Sequence, residues 1–271
     1  MSLEFKIKKD KYYNSVLYNR SRIKRPKLKY FQKVFKDIEN KGICFIPNFI
    51  SKKNINKINE ELKPYVDKLL NNSLSKLKYY RNTEEGIMRL YNISKFSPTS
   101  KLFFQSYLIR NFAKYYISKN VSFYQDMVEI RQKLTLPLKD LKLTSDKFHF
   151  DDWRIRLKFF LLLTKVGLNN SPMKYIPKSH KIDKFSMEND LYINKKNGRY
   201  GFYKNHEVKR LIKSNNLKII NCTGNAGTLI IVNTNGIHKG TPLVDPKNPR
   251  LQLGLYSDLR EKKWNPKNIN I

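Results

Sequence analysis

The sequence predicts a mainly β domain with flanking helices, a β-sandwich or barrel. Helical periodicity fills the chain before about residue 120, and short apolar strands with turn-rich links dominate after about residue 122. A composition of 40% hydrophobic and 13% aromatic residues supplies the apolar surface for a packed core and excludes a disordered chain. At 271 residues the chain suits one domain with elaborations, since β-barrel units reach this size. The expected division is an arm over 1–29 and the domain proper over 30–271.

Residues 1–29 are polar, basic and dotted with tyrosines, and read as an extended or loosely packed lead-in. Beyond Tyr30, Phe31, Val34, Phe35 and Ile38 share one helical face. The apolar run 42–50, with Gly42 and Pro47 as its punctuation, is a strand. Ser51 then caps a helix carrying Ile55, Ile58, Leu62, Val66 and Leu69, which Pro64 kinks or divides. Phe104, Leu108, Phe112, Tyr115 and Tyr116 predict one helix over 101–119, their aromatic stripe being core packing. Ile130, Gln132, Leu134 and Leu136 alternate with Arg131, Lys133 and Thr135, as in a half-buried strand. Residues 155–164 form a long apolar strand, and 217–222, 227–233 and 250–257 give three more. Residues 183–216 are a polar insertion with some helix near 207–213. No internal repeat is present.

Charge is the strongest departure from the average: 55 Lys+Arg against 22 Asp+Glu, a net +33. Clustered cations would indicate a polyanion partner. Here lysines occur singly or in pairs along the whole chain, with Asn and Ile equally frequent, and the densest basic stretch, Arg20–Lys29, is short. A biased composition explains this better than a nucleic-acid site does. The field still favours anionic small-molecule substrates kinetically. Two cysteines, Cys44 and Cys222, make neither a disulfide framework nor a zinc-knuckle spacing, although a single bridge between them stays open. A reduced, cytoplasmic setting is the expectation. Charges at Glu4, Lys6, Lys8, Lys9 and Asp10 break any signal core, and no run approaches the roughly 18 apolar residues of a membrane span. Oligomeric state leaves no mark on the sequence.

The chemistry sits in PheHisPheAspAsp, 148–152. On an extended strand His149 and Asp151 point to the same face, so they can grip two positions of one metal. His238, after the strand 227–233 and between Gly236 and Gly240, is the candidate third ligand. Two imidazoles and one carboxylate leave three positions open, as in non-haem Fe(II) oxygenases that take a bidentate 2-oxo acid and O2. Arg250 opens the next strand, and its planar fork suits a carboxylate across the cavity. Asp152 and Trp153 follow the first ligands and are candidates to shape a substrate pocket. Arg154 and Arg156 alternate with Ile155 and Leu157, giving a basic face read as solvated surface. His180 is read as structural and His206 as surface.

These segments, in order, resemble the phytanoyl-CoA dioxygenase-like (PhyH) family of Fe(II)/2-oxoglutarate-dependent oxygenases, over roughly 30–258. Residues 41–55 resemble its opening strand and helix, PheHisPheAspAspTrp its first metal motif, and SerProMetLysTyrIleProLysSerHisLys the stretch before its insertion. GlyThrLeuIleIleValAsn, His238 and Arg250 resemble its final segment. The resemblance implies a double-stranded β-helix (jelly roll, cupin-like). It implies His149, Asp151 and His238 as metal ligands, Arg250 as the 2-oxoglutarate arginine, and cofactors Fe(II), 2-oxoglutarate and O2. The implied reaction is hydroxylation of an unactivated C–H bond in a small molecule, since a carboxylate at Asp151 leaves no vacant halide site. Two departures stand out. Gly240 occupies the place of a small hydroxylated residue, leaving Thr241 as the nearest co-substrate candidate. Lys178 replaces the Gly that usually precedes SerHis, so a less strained turn is expected there. The alternatives are the same chemistry on a nucleic acid or other polyanion, or a jelly-roll binding protein without catalysis.

Overall fold

A computed structural model of the chain describes residues 3–22, 29–74, 77–83, 86–132, 147–182, 189–192 and 201–259. Before the first sheet residue come α1 (Leu3–Arg22) and α2 (Lys29–Lys41), then β1 (Ile43–Ile46), α3 (Lys52–Leu70), β2 (Tyr79–Asn82) and β3 (Ile87–Tyr91). Two helices, α4 (Lys101–Phe104) and α5 (Tyr107–Tyr116), lead into β4 (Ser122–Arg131), β5 (His149–Phe150), β6 (Arg156–Leu162) and β7 (Met173–Tyr175). The remainder is β8 (Asn189–Tyr192), β9 (Gly201–Tyr203), α6 (Asn205–Ser214), β10 (Ile220–Cys222), β11 (Leu229–Asn233), β12 (His238–Lys239) and β13 (Arg250–Asp258).

The strands pair antiparallel in two sheets, β1-β11-β6-β13-β4-β3-β2 and β10-β7-β12-β5-β9-β8. The result is a helix-flanked jelly roll. Its large sheet is covered on both faces, which is why its central strands read as nearly continuous apolar runs. On β6, Leu157, Phe159 and Leu161 join the core under the helices, whereas Phe160 and Leu162 turn inward with Ile230, Val232 and Cys222. Lys158 has the same parity as those inward residues, so the sheet's inner face is the one that carries charge. Helices α2, α3 and α5 bring Phe31, Val34, Ile38, Ile55, Ile58, Leu62 and Phe112 to the outer core.

Several expectations need correction. The N-terminal segment is not an extended or loose lead-in: α1 buries Tyr12 and Val16, and Tyr12 meets Trp153 edge-on at 5.3 Å. Arg20 lies 4.1 Å over the Tyr116 ring and donates to its carbonyl at 2.8 Å. A few aromatic anchors, and no apolar stripe, dock this helix. Ser51 caps α3 as expected, accepting from the Asn54 amide, but α3 runs through Pro64 undivided. The single helix expected over 101–119 breaks at Gln105–Ser106, where Ser106 competes for the backbone and caps α5 through the Ile109 amide. The strand expected at 130–136 ends at Arg131, and its part from Lys133 onward lies outside the described residues. The helix foreseen near 207–213 is α6, while β8 and β9 in the same segment extend the smaller sheet. Lys178 sits in left-handed backbone, at φ +71°, so the less strained turn expected there is not found. Cys44 and Cys222 are free and buried.

Docking of α1 sets a testable number. Tyr12→Ala removes a fully buried ring and is expected to cost about 3 kcal/mol in urea unfolding. Unchanged stability would show the helix to be dispensable packing.

Candidate metal centre and its cavity

Register brings the two histidines together. His149 on β5 and His238 on β12 are direct antiparallel partners, with ring centroids 4.5 Å apart. Asp151 follows one pleat later, and its amide is held by the Thr234 carbonyl at 2.9 Å. One Asp151 oxygen lies 3.8 Å from His149 Nε2 and 3.6 Å from His238 Nε2. The three donor atoms all fall within 4.8 Å of one another.

The imidazoles are oriented for a metal. His149 Nδ1 faces the Lys147 carbonyl at 2.8 Å, and His238 Nδ1 faces the Gly236 carbonyl at 2.9 Å. A carbonyl only accepts, so each Nδ1 carries the proton and each Nε2 presents its lone pair to the centre. Gly236 has a packing reason as well: a β-carbon there would strike Tyr175, whose hydroxyl bonds the Asn233 carbonyl at 3.0 Å. Burial, then the neighbouring His238, lowers His149 to about 3, so its ring is neutral at ordinary pH. Burial acts to raise Asp151, but Lys158 and His238 outweigh it and hold the carboxyl well below its usual range. The donor set fits one divalent ion of borderline hardness with open positions.

The cavity beyond the triad has a volume of about 100 Å³. Phe160, Leu162, Met173, Cys222 and Ile230 give it apolar walls, while Arg89, Glu129, Arg131, Arg250, Gln252 and Lys158 supply the polar part. Arg250 is buried at 4% exposure and donates through Nη2 to Glu129 Oε1 at 2.7 Å and through Nη1 to the Ser171 carbonyl at 2.5 Å. Burial lowers Arg250 to about 10, still a cation at neutral pH. Lys158 lies 2.6 Å from the second oxygen of Asp151 and 4.6 Å over the Tyr256 ring.

Other expected site residues lie elsewhere. Thr241 gives its hydroxyl to the Pro172 carbonyl at 2.6 Å, tying down the loop. Asp152 is 1% exposed and paired with Arg154 at 2.8 Å and Arg156 at 3.3 Å. Trp153 packs on Tyr12, away from the metal cavity. Nor are Arg154 and Arg156 solvated: Arg154 is fully buried on Asp152, and Arg156 also pairs with Asp258 at 3.0 Å. His180 supports the fold, facing the Glu39 carbonyl at 3.2 Å, and His206 is exposed beside Glu207. Sequence reasoning missed Lys158, Glu129, Arg131, Arg89 and Gln252. The available signal was a Lys inside the apolar run 155–164 and a Glu between Val128 and Ile130.

A jelly roll with two histidines and one aspartate converging in a cationic pocket defines the class of Fe(II)/2-oxoglutarate-dependent oxygenases. The chain belongs to the phytanoyl-CoA dioxygenase (PhyH) family, whose profile matches residues 38–250. No curated protein sequence matches it. Among solved structures it is similar to the epimerase SnoN with Fe3+, alpha ketoglutarate and nogalamycin RO, at 13% identity and TM-score 0.59, covering 85% of this chain and 84% of that one. EctD from S. alaskensis with bound Fe gives 14% and 0.57 over 82% and 74%. HygX from Streptomyces hygroscopicus with nickel and 2-oxoglutarate gives 11% and 0.53 over 83% and 86%. At these identities the likeness concerns the fold. No helix among the described residues is long and apolar enough to cross a membrane.

Asp152 yields a discriminating prediction. Asp152→Asn breaks a buried ion pair and is expected to cost roughly 3–5 kcal/mol in unfolding with little change in substrate KM. A raised KM at unchanged stability would return Asp152 to the substrate pocket.

Proposed function

We propose that the protein hydroxylates an unactivated C–H bond of a small, anionic metabolite. The observation that carries this reading is the convergence of His149 Nε2, His238 Nε2 and one Asp151 oxygen beside a pocket rich in buried cations. Bound there, Fe(II) with 2-oxoglutarate and O2 supplies an oxidant for such a bond, yielding succinate, CO2 and the hydroxylated product.

The chain's own part is positioning. His149, Asp151 and His238 hold the metal on one side, and the carbonyls of Lys147 and Gly236 keep both rings in the ligating tautomer. Lys158 engages the second oxygen of Asp151, which fixes that carboxylate's orientation. Arg250, held by Glu129 and Ser171, receives the far carboxylate of the 2-oxo acid. Phe160, Leu162 and Ile230 keep water away, so charge pairs there act in a low dielectric. The relatives include an epimerase, SnoN, and SnoK, a carbocyclase, at 12% identity and TM-score 0.56 over 89% and 86% of the two chains. Hydroxylation is preferred here because it needs no group beyond the triad and the co-substrate pocket.

Succinate release against a panel of anionic metabolites, with mass detection of a product 16 units heavier, tests the reaction. His149→Ala and His238→Ala are expected to reduce succinate release to background. Unchanged release in both would remove the triad from the chemistry, and a product of unchanged mass would replace hydroxylation by another outcome.

A further inference from the structure

The metal cavity holds more guanidinium than its carboxylate can neutralise. Strands β3, β4 and β13 pair so that Glu129 is opposite both Arg89 and Gln252, and Arg131 is opposite Arg250. Cross-strand partners share a face, and all five residues line the cavity that contains His149 and His238. Glu129 accepts from Arg89 Nε at 2.7 Å on one oxygen, and from Arg250 Nη2 at 2.7 Å and Gln252 Nε2 at 3.2 Å on the other. Both oxygens are thereby engaged. Arg131 reaches Glu129 only at 4.0 Å, with its side chain 7% exposed.

Two donors stay unsatisfied: the Nε atoms of Arg131 and of Arg250 are buried without a hydrogen-bond partner. Like charges directly opposite on paired strands repel, and a buried donor left without a partner loses the hydrogen bonds it had in water. Arg89 is 30% exposed and therefore screened, so the unbalanced pair is Arg131 with Arg250. A carboxylate reaching both guanidiniums would relieve the repulsion and satisfy the donors. Nothing in the loop after His238 competes for that role. Gly240 lines the cavity without a side chain, and Thr241 is bonded to Pro172.

Resting on the oxygenase reading above, we propose that Arg131 is a second guanidinium for the distal carboxylate of 2-oxoglutarate, acting beside Arg250 in place of a hydroxyl at position 240. Glu129 is the positioning residue of the arrangement, since it holds Arg250 and Arg89 while leaving Arg131 available.

Calorimetry on the nickel-loaded protein separates this from the reading beneath it. The probes are 2-oxoglutarate and 2-oxobutyrate, which shares the 2-oxo acid head and lacks the distal carboxylate. Arg131→Gln is expected to weaken 2-oxoglutarate binding about tenfold or more, with 2-oxobutyrate binding unchanged. Arg131→Lys, which keeps the charge and loses the fork, is expected to fall between. Wild-type affinity for 2-oxoglutarate in Arg131→Gln, or in Arg131→Lys if the first variant does not fold, overturns the assignment. So does an equal loss for both probes, because a merely structural role moves both. If the unaltered protein binds 2-oxoglutarate no better than 2-oxobutyrate, the co-substrate reading itself falls.

Discussion

The register of β5 against β12 is the constraint on which the site depends. Side chains alternate along a strand, so a slip of one residue would turn His149 or His238 to the other face and separate the donors. Two short strands of two residues each could not hold that register alone. They are pinned from outside: the Asp151 amide by Thr234, the Ile237 amide by the Ser179 hydroxyl at 2.7 Å, and the Ile176 amide by Ile237. The SerHis turn after Lys178 therefore serves the metal centre by fixing the strand that carries its last ligand. A Lys in left-handed backbone is tolerated at that turn, where its amide bonds the Lys41 carbonyl at 2.9 Å.

Two buried charge systems flank the triad, and their balances differ. Behind it, Asp152 and Asp258 face Arg154 and Arg156, two acids against two guanidiniums in close contact. That system is self-neutralising and suits a structural wall. In front, Glu129 alone faces Arg89, Arg131 and Arg250. Burial acts against Glu129, yet the three guanidiniums hold it strongly ionised. The net +33 of the chain is a separate matter, spread along the whole sequence. What distinguishes Arg131 and Arg250 is burial beyond the reach of screening, where an unpaired charge is costly enough to call for a ligand.

Much of this was legible in the sequence, for physical reasons that also mark the limits. His149, Asp151 and His238 stood out because period-two geometry puts 149 and 151 on one face and histidines are scarce here. Arg250 was visible as the first residue of an apolar strand. Arg154 and Arg156 were misread as solvated because alternation shows that a face is basic, not whether it faces water. Their acidic partners decide that, and Asp258 lies over a hundred residues away. Glu129 and Arg131 were hidden for the same reason, since their meaning comes from strands β3 and β13 at large separation.

The N-terminal helix shows how a poor local signal can accompany a strong tertiary role. Few residues of α1 are buried, so periodicity has little to detect, and the segment reads as an arm. Those few are placed to matter. The Tyr12 hydroxyl accepts from the Ile155 amide at 3.2 Å, and the Tyr13 hydroxyl donates to the Trp153 carbonyl at 2.9 Å. Asn235 closes the same stretch from the other side, donating to the carbonyls of Asp152 and Trp153 at 2.8 Å. The backbone just beyond Asp151 is thereby clamped between α1 and the loop that leads to His238. Folding of α1 onto the barrel and the spacing of the metal ligands are coupled through these few bonds, because loosening one clamp frees the segment that aims the aspartate.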